Sequence, residues 1–194
     1  MGKIKSAWEI ALEKTENIVV DEDKIRHSQA INKIRRIAGS YLLSEEDDKD
    51  KNLEELKSYT NKELKEALER TIINSLTLPS DEVEDDRFER TGNLLSIATE
   101  DDEQALALYG QIANLLKQYP VHRNQLIEQM KTQFEPMLRE KEAQMREQYG
   151  QDVHLSLETD KEFAQVARQN LDKLEAQYQQ TLDGAKENLK QAFI

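Results

Sequence analysis

Apolar residues recur at spacings of three and four along the last thirty-five residues of the chain. The stripe consists of Phe163, Ala167, Leu171, Leu174, Tyr178, Leu182, Ala185, Leu189 and Ala192. This spacing predicts one amphipathic α-helix from about Lys161 to Gln191. Such a helix would be roughly 46 Å long, which exceeds the width of a compact domain of this size. The stripe therefore needs a partner, either another long helix of this chain or a second copy.

A second long stripe precedes the first and consists of Ile127, Met130, Phe134, Met137, Leu138 and Met145. Gly150 is typical of a helix C-cap and Asp160 of an N-cap. We therefore expect an antiparallel hairpin of two long helices, joined by residues 150–159. Pro120 predicts the end of a preceding helix, capped at its start by Asp101 or Asp102, and Pro136 predicts a kink.

Shorter stripes mark the helices of the first half of the chain. One consists of Ile25, Ile31, Ile34, Ile37, Ala38, Tyr41 and Leu42, and another of Leu64, Ala67, Leu68, Ile72 and Leu76. Thr60 and Glu63 have the spacing of a capping box for the second of these helices. Gly39 within a helix costs about 1 kcal/mol relative to Ala, so we expect a close helix contact there. Gly92 predicts an interruption in a later, less regular helix.

These patterns predict an all-α fold, an elongated helical bundle with a long C-terminal antiparallel hairpin that resembles a coiled coil. We expect a bundle of shorter helices in residues 1–100 and the hairpin in residues 101–194. The composition changes near this boundary, because fifteen of the sixteen Gln residues follow residue 103. Residues 1–103 contain 16 Lys+Arg and 26 Asp+Glu, and residues 104–194 contain 11 and 13.

The formal net charge of the whole chain is -12, which works against non-specific binding to nucleic acid or to an anionic membrane. Cysteine is absent, which excludes disulfides, thiolate metal sites and a Cys nucleophile. No window is apolar enough for a membrane span or a signal peptide. We therefore expect a cytoplasmic protein that contacts no membrane.

No residue pattern points to catalysis. His27, His122 and His154 are isolated on different predicted elements and lack metal-ligand spacing. The acidic runs Glu45–Asp50, Asp81–Asp86 and Glu100–Glu103 lack the central Gly of a calcium loop and favour solvated linkers or helix starts. No phosphate loop, nucleophile elbow or dinucleotide fingerprint occurs. We expect no catalytic residue, no metal and no cofactor.

Two features leave alternatives open. The basic helix Lys24–Arg36 is the one candidate nucleic-acid surface, although its acidic flanks favour a solvated face or a patch that docks an acidic segment of this chain. Trp8, on a short N-terminal amphipathic helix, fits an anchor in the core or an exposed anchor for a partner.

The opening segment IKSAWEIALEKTE, residues 4–16, is similar to the start of a family of small, uncharacterised, bacterial helical proteins. Residues 34–39 (IRRIAG), the pair Tyr119-Pro120 and residues 162–178 resemble that family as well. The resemblance implies a bacterial, cytoplasmic, all-helical protein. It brings no catalytic residues, since no function is known for the family.

We therefore expect a non-enzymatic interaction module, scaffold or adaptor that self-associates or holds a protein partner. Its contact residues would be Leu171, Leu174, Tyr178, Leu182, Leu189 and Trp8, with Phe134, Met137 and Met145 opposite the stripe. The same stripe would serve equally well as intramolecular core. A nucleic-acid- or ribosome-associated factor that uses Lys24–Arg36 is the first alternative, and a helical protein that binds a small ligand is the second.

Overall fold

The structure is a computed structural model that describes residues 22–43, 49–81, 85–150 and 155–194. The expected first helix and Trp8 lie outside these residues. The described chain forms six α-helices, which are α1 (Glu22–Leu43), α2 (Lys49–Leu56), α3 (Asn61–Ser75), α4 (Asp85–Thr99), α5 (Glu103–Tyr149) and α6 (Lys161–Lys190). A single 3-10 turn lies between α5 and α6 at Leu157–Thr159, and another follows α6 at Gln191–Phe193. The described ranges contain no strand, so the prediction of an all-α fold is confirmed.

Helices α1 to α4 form a bundle in which α3 packs on α1 and α4, and α2 packs on α1. Its centre consists of fully buried side chains, among them Ile34, Leu56, Leu68, Ile72, Leu94 and Leu95. The same core includes Ile112 and Leu116 of α5 and Leu182 and Leu189 of α6. The predicted boundary near residue 100 thus lies at the turn between α4 and α5, and the apolar core continues across it.

The C-terminal end of α1 is fixed by side chains of α4. Arg90 Nη1 donates to the carbonyl oxygens of Tyr41 at 3.1 Å and Leu42 at 3.3 Å. These carbonyls belong to the last turn of α1 and have no partner within that helix. Asn93 Nδ2 also donates to the Tyr41 hydroxyl at 3.0 Å. The contact therefore satisfies backbone acceptors and ties two helices that are far apart in sequence.

Four predicted caps are present. Thr60 and Glu63 form a complete capping box at the start of α3, with Thr60 N donating to Glu63 Oε2 at 3.1 Å. Asp102 accepts from the backbone of Gln104 at the start of α5, and Asp160 accepts from Phe163 N at the start of α6. Gly150 ends α5 with a φ of 64°, a conformation that costs Gly little.

Helix α5 differs from the prediction because it runs without a break through Pro120 and Pro136. The expected helix end at Pro120 is therefore wrong. Proline removes one backbone donor in a helix interior, which here costs the bond to the carbonyl of Leu116. Tyr119 and Pro120 are both buried, and this packing holds the helix together across the missing bond. At 47 residues, α5 is roughly 70 Å long.

Helix α5 is also long without being apolar. None of the helices in the described residues combines the length and the apolar character that a membrane span requires.

The glycines inside helices fall into two groups. A Cβ at Gly92 of α4 would lie 3.2 Å from Cε1 of Tyr109, whose hydroxyl donates to the carbonyl of Phe88 at 2.7 Å. Gly92 therefore permits a close approach of α4 and α5, and α4 continues through it rather than breaking. A Cβ at Gly39 or Gly110 would meet no atom of the described residues within 4 Å. The close contact expected at Gly39 is absent from that part of the chain.

We expect Gly92→Ala to lower the free energy of unfolding by roughly 1–2 kcal/mol, because the ring of Tyr109 cannot retreat without stretching its hydrogen bond to Phe88. Gly110→Ala is the matched control and should raise the free energy of unfolding by about 0.5–1 kcal/mol, since Ala favours the helix. Urea denaturation followed by circular dichroism measures both. Equal changes in the two variants would contradict the packing at Gly92.

Candidate interaction surface

The second half of α5 and helix α6 form the predicted antiparallel hairpin. The rings of Tyr119 and Tyr178 lie 5.2 Å apart, and those of Phe134 and Phe163 lie 5.3 Å apart. Later residues of α5 thus meet earlier residues of α6. Beyond Pro120, Met130 is the one residue of 121–149 that is buried. The seam of the hairpin is otherwise half-covered.

The residues predicted as a contact stripe lie in this seam or in the core. Leu182 and Leu189 are 0% exposed and belong to the core of the bundle. Leu171, Leu174 and Tyr178 are half-buried, and Tyr178 also contacts His122. Leu182 and Leu189 therefore form part of the intramolecular core, which is one of the two roles that the sequence left open for the stripe. Trp8 lies outside the described residues, and its role stays a prediction.

The residues predicted to lie opposite the stripe differ in how far they are buried. Phe134 and Met145 are half-buried in the seam, whereas Met137 is 43% exposed. Met137 therefore lies beside the seam rather than inside it.

The seam of α6 follows an eleven-residue period rather than a heptad. The spacing four, four, three repeats through Phe163, Ala167, Leu171, Leu174, Tyr178, Leu182, Ala185, Leu189 and Phe193. An eleven-residue repeat corresponds to about 3.67 residues per turn and gives nearly straight helices with a slight right-handed twist. A left-handed coiled coil needs a seven-residue repeat, so the likeness to a coiled coil ends at the antiparallel pairing.

The two flanks of the hairpin differ in charge. The seam positions of α5 are the buried or half-buried residues Ile127, Met130, Phe134, Leu138, Lys141 and Met145. The residue directly after each of them carries a charge; these residues are Glu128, Lys131, Glu135, Arg139, Glu142 and Arg146. The corresponding residues of α6 are Ala164, Arg168, Asp172, Glu175, Gln179, Asp183 and Lys186. Ion pairs run along this charged face, such as Lys131–Glu128 at 2.7 Å and Arg139–Glu135 at 3.5 Å.

The residues directly before the seam positions form the opposite flank, which we call the uncharged face. It consists of Leu126, Gln129, Gln133, Met137 and Gln144 of α5 and Val166, Asn170, Gln177, Thr181 and Gly184 of α6. Glu140, Glu162 and Lys173 are the charges that interrupt it. Because the helices face each other and run in opposite directions, positions that precede the seam on both helices lie on the same side. The hairpin therefore presents one ionic side and one side of amides and apolar groups.

Comparison with known families decides what the chain is related to. A family model described as a family of unknown function (DUF6657) matches residues 50–191. The chain belongs to this family. The match runs from α2 to the end of α6, so it includes the whole hairpin. The segment at residues 4–16, on which the resemblance to a helical family partly rested, lies outside the match. No curated protein matches the chain. No solved structure matches it either.

The basic helix of the nucleic-acid alternative is α1, which lies wholly before the region that matches the family. Lys33 Nζ pairs with Glu55 Oε1 of α2 at 2.7 Å, and Arg26 pairs with Glu22 at 3.4 Å. The Glu55 carboxylate raises the pKa of Lys33. Part of this positive charge is thus met by carboxylates of the same chain.

The described residues offer no obvious metal chemistry. His27 of α1 has its Nε2 atom 2.8 Å from Glu66 Oε2, and His122 of α5 contacts the Tyr178 hydroxyl through Nδ1. The two histidines therefore lie on different helices and have different partners. Among the residues that the structure describes, no three His, Asp or Glu side chains are grouped to hold a metal ion.

The distal end of the hairpin is closed by ion pairs around the N-cap of α6. Lys141 Nζ lies 3.1 Å from Glu162 Oε2 and 3.2 Å from Asp160 Oδ2. Glu142 Oε1 accepts from Leu155 N at 2.8 Å. The backbone hydrogen bond from Phe163, followed by the bond from Lys141, lowers the pKa of Asp160. The ionised form of Asp160 therefore stabilises this end.

Because the folded state lowers the pKa of Asp160, its contribution is present at neutral pH and is lost as the pH falls through the folded-state value, below about pH 4. Asp160→Asn keeps a capping residue but removes the charge. We expect a lower melting temperature for Asp160→Asn at pH 7, and a difference from the wild type that narrows as the pH falls below about 4. Asp172→Asn, in an exposed ion pair, serves as control. A difference that persists unchanged into acid would contradict a role for the charge.

Proposed function

We propose that the protein is a non-catalytic, self-associating scaffold. In this proposal the uncharged face of the α5–α6 hairpin packs on the same face of a second copy. The observation that carries the proposal is the separation of charge across the hairpin, with a charged residue after each seam position of α5 and amides or apolar residues before most of them.

Incomplete burial supports an interface on this face. A pair of helices can cover only one narrow seam between them, and Met130 is the one buried residue of 121–149. Met137 remains 43% exposed, and Leu126 and Val166 are half-buried. A second hairpin laid on this side would remove these groups from water, which is the main driving force for such association.

The chemistry of the face suits a second copy. A two-fold interface brings the same patch of both subunits together, so the patch must be complementary to itself. The amide of Gln or Asn both donates and accepts hydrogen bonds, and it can therefore pair with an identical amide. A patch of one charge sign would repel its own copy. The uncharged face meets this requirement, since Glu140, Glu162 and Lys173 are its charges and Glu162 already pairs with Lys141.

The charge of the whole chain supports the hairpin over the bundle as the contact. Residues 104–194 contain 11 Lys+Arg and 13 Asp+Glu, whereas residues 1–103 contain 16 and 26. Two copies that meet through their hairpins avoid most of the repulsion between their acidic halves. The nearly straight course of an eleven-residue repeat also allows two hairpins to lie side by side along about 27 Å, from Leu126 to Gln144.

The decisive test introduces charges on one face at a time. Met137→Asp with Gln177→Asp places two carboxylates on the uncharged face, and Ala164→Asp with Gln179→Asp places two on the charged face. Size exclusion coupled to light scattering should give about twice the 22.5 kDa of one chain for the wild type. We expect the control variant to keep this mass and the first variant to weaken the dimer by about 100-fold or more, because buried unpaired charges are costly.

Circular dichroism of both variants shows whether the hairpin stays helical, which is expected because all four positions lie beside the seam. A wild-type monomer at 100 µM would refute self-association. Equal weakening in the two variants would instead show that added negative charge, and not the uncharged face, decides the association. Leu174 and Tyr178 are unsuitable sites for this test, because they lie in the seam itself.

A further inference from the structure

A cleft of about 660 Å³ opens in the bundle, away from the hairpin surface. One wall is formed by the end of α2 and the following turn, with Leu53, Lys57 and Tyr59, and a second wall is the start of α3, with Asn61 and Leu64. The third wall is the end of α4 and the turn into α5, which contributes Asn93, Ser96, Ile97, Glu100 and Asp101. Its volume lies within the range of sites for small molecules.

The rim of the cleft is negative. Glu100 and Asp101 line it with φ values of 54° and 61°, which turn the chain sharply after α4. Asp101 accepts a hydrogen bond from the neutral Ser96 hydroxyl, and no cation of the described residues pairs with either carboxylate. The C-terminal end of α4 adds the negative end of a helix dipole. Lys57 is engaged elsewhere, because its Nζ donates to Glu54 at 2.9 Å.

The interior of the cleft offers apolar surface, because Leu53, Leu64 and Ile97 supply aliphatic side chains.

We propose that this cleft binds a small organic cation, in which an ammonium or guanidinium group is carried by a short apolar chain. The cationic group would lie between the carboxylates of Glu100 and Asp101. The chain would lie along Leu53 and Ile97. Such a ligand matches the negative rim and the aliphatic interior together, which neither an anion nor a bare metal ion does.

Isothermal titration of the full chain with agmatine and with n-pentylammonium tests the proposal, and 1-pentanol is the uncharged control. We expect both cations to bind and 1-pentanol to bind at least about ten-fold more weakly, because it makes no charge-assisted bond. Chemical-shift changes should centre on the amides of Asn61, Ile97 and Asp101.

An acidic protein attracts cations generally, so a charge-matched pair of variants is essential. Glu100→Gln with Asp101→Asn should weaken agmatine binding by about ten-fold or more. Glu128→Gln with Glu147→Gln removes the same charge from the hairpin and should leave the affinity unchanged. Equal weakening in the two variants, equal binding of 1-pentanol, or no binding at millimolar concentration would overturn the proposal. The light-scattering test varies residues of the hairpin and the titration varies residues of the cleft, so failure of either proposal leaves the other intact.

Discussion

The length of α5 is the constraint on which the rest of the structure depends. Its first part, as far as Pro120, packs into the bundle, but the helix continues for another 29 residues to Tyr149. An isolated extension would leave Met130 and Phe134 in water. Helix α6 therefore returns along α5, and its last turns bring Leu182, Leu189 and Phe193 back into the bundle core. The hairpin is thus anchored in the bundle by both of its helices.

Within the hairpin, three sets of positions have three different physical roles. Seam residues such as Phe134 and Phe163 bury apolar surface and hold the helices together. Residues after the seam carry ion pairs that are highly exposed, such as Arg168–Asp172, and these contribute solubility more than stability. The residues before the seam do neither in a single chain. Most of them are uncharged, and Met137 among them is partly exposed. This is the basis for proposing that they form an interface.

Local signals predicted much of this architecture. The stripe of α6, the capping box at Thr60, the caps at Asp102 and Asp160 and the end at Gly150 follow from spacing and side-chain chemistry, which act within a few residues. The continuation of α5 through Pro120 did not follow, because it depends on packing from distant helices. The sequence also could not reveal that Gly92 accommodates Tyr109, which is a contact between two elements. The cleft was missed for the same reason, since Asn61 and Asp101 are brought together only by the fold.

The two candidate surfaces lie at opposite ends of one continuous element. Asp101 belongs to the rim of the cleft, and the next residue, Asp102, is the N-cap of α5. The uncharged face begins at Leu126, about 36 Å further along the same helix. The cleft and the uncharged face therefore share no residue, and a charge placed on Met137 cannot reach a ligand beside Glu100. What connects them is the buried stretch Tyr109–Pro120, where Tyr109 locks α5 to α4 through Phe88. Both surfaces are thus carried by one helix whose middle part is packed into the bundle core.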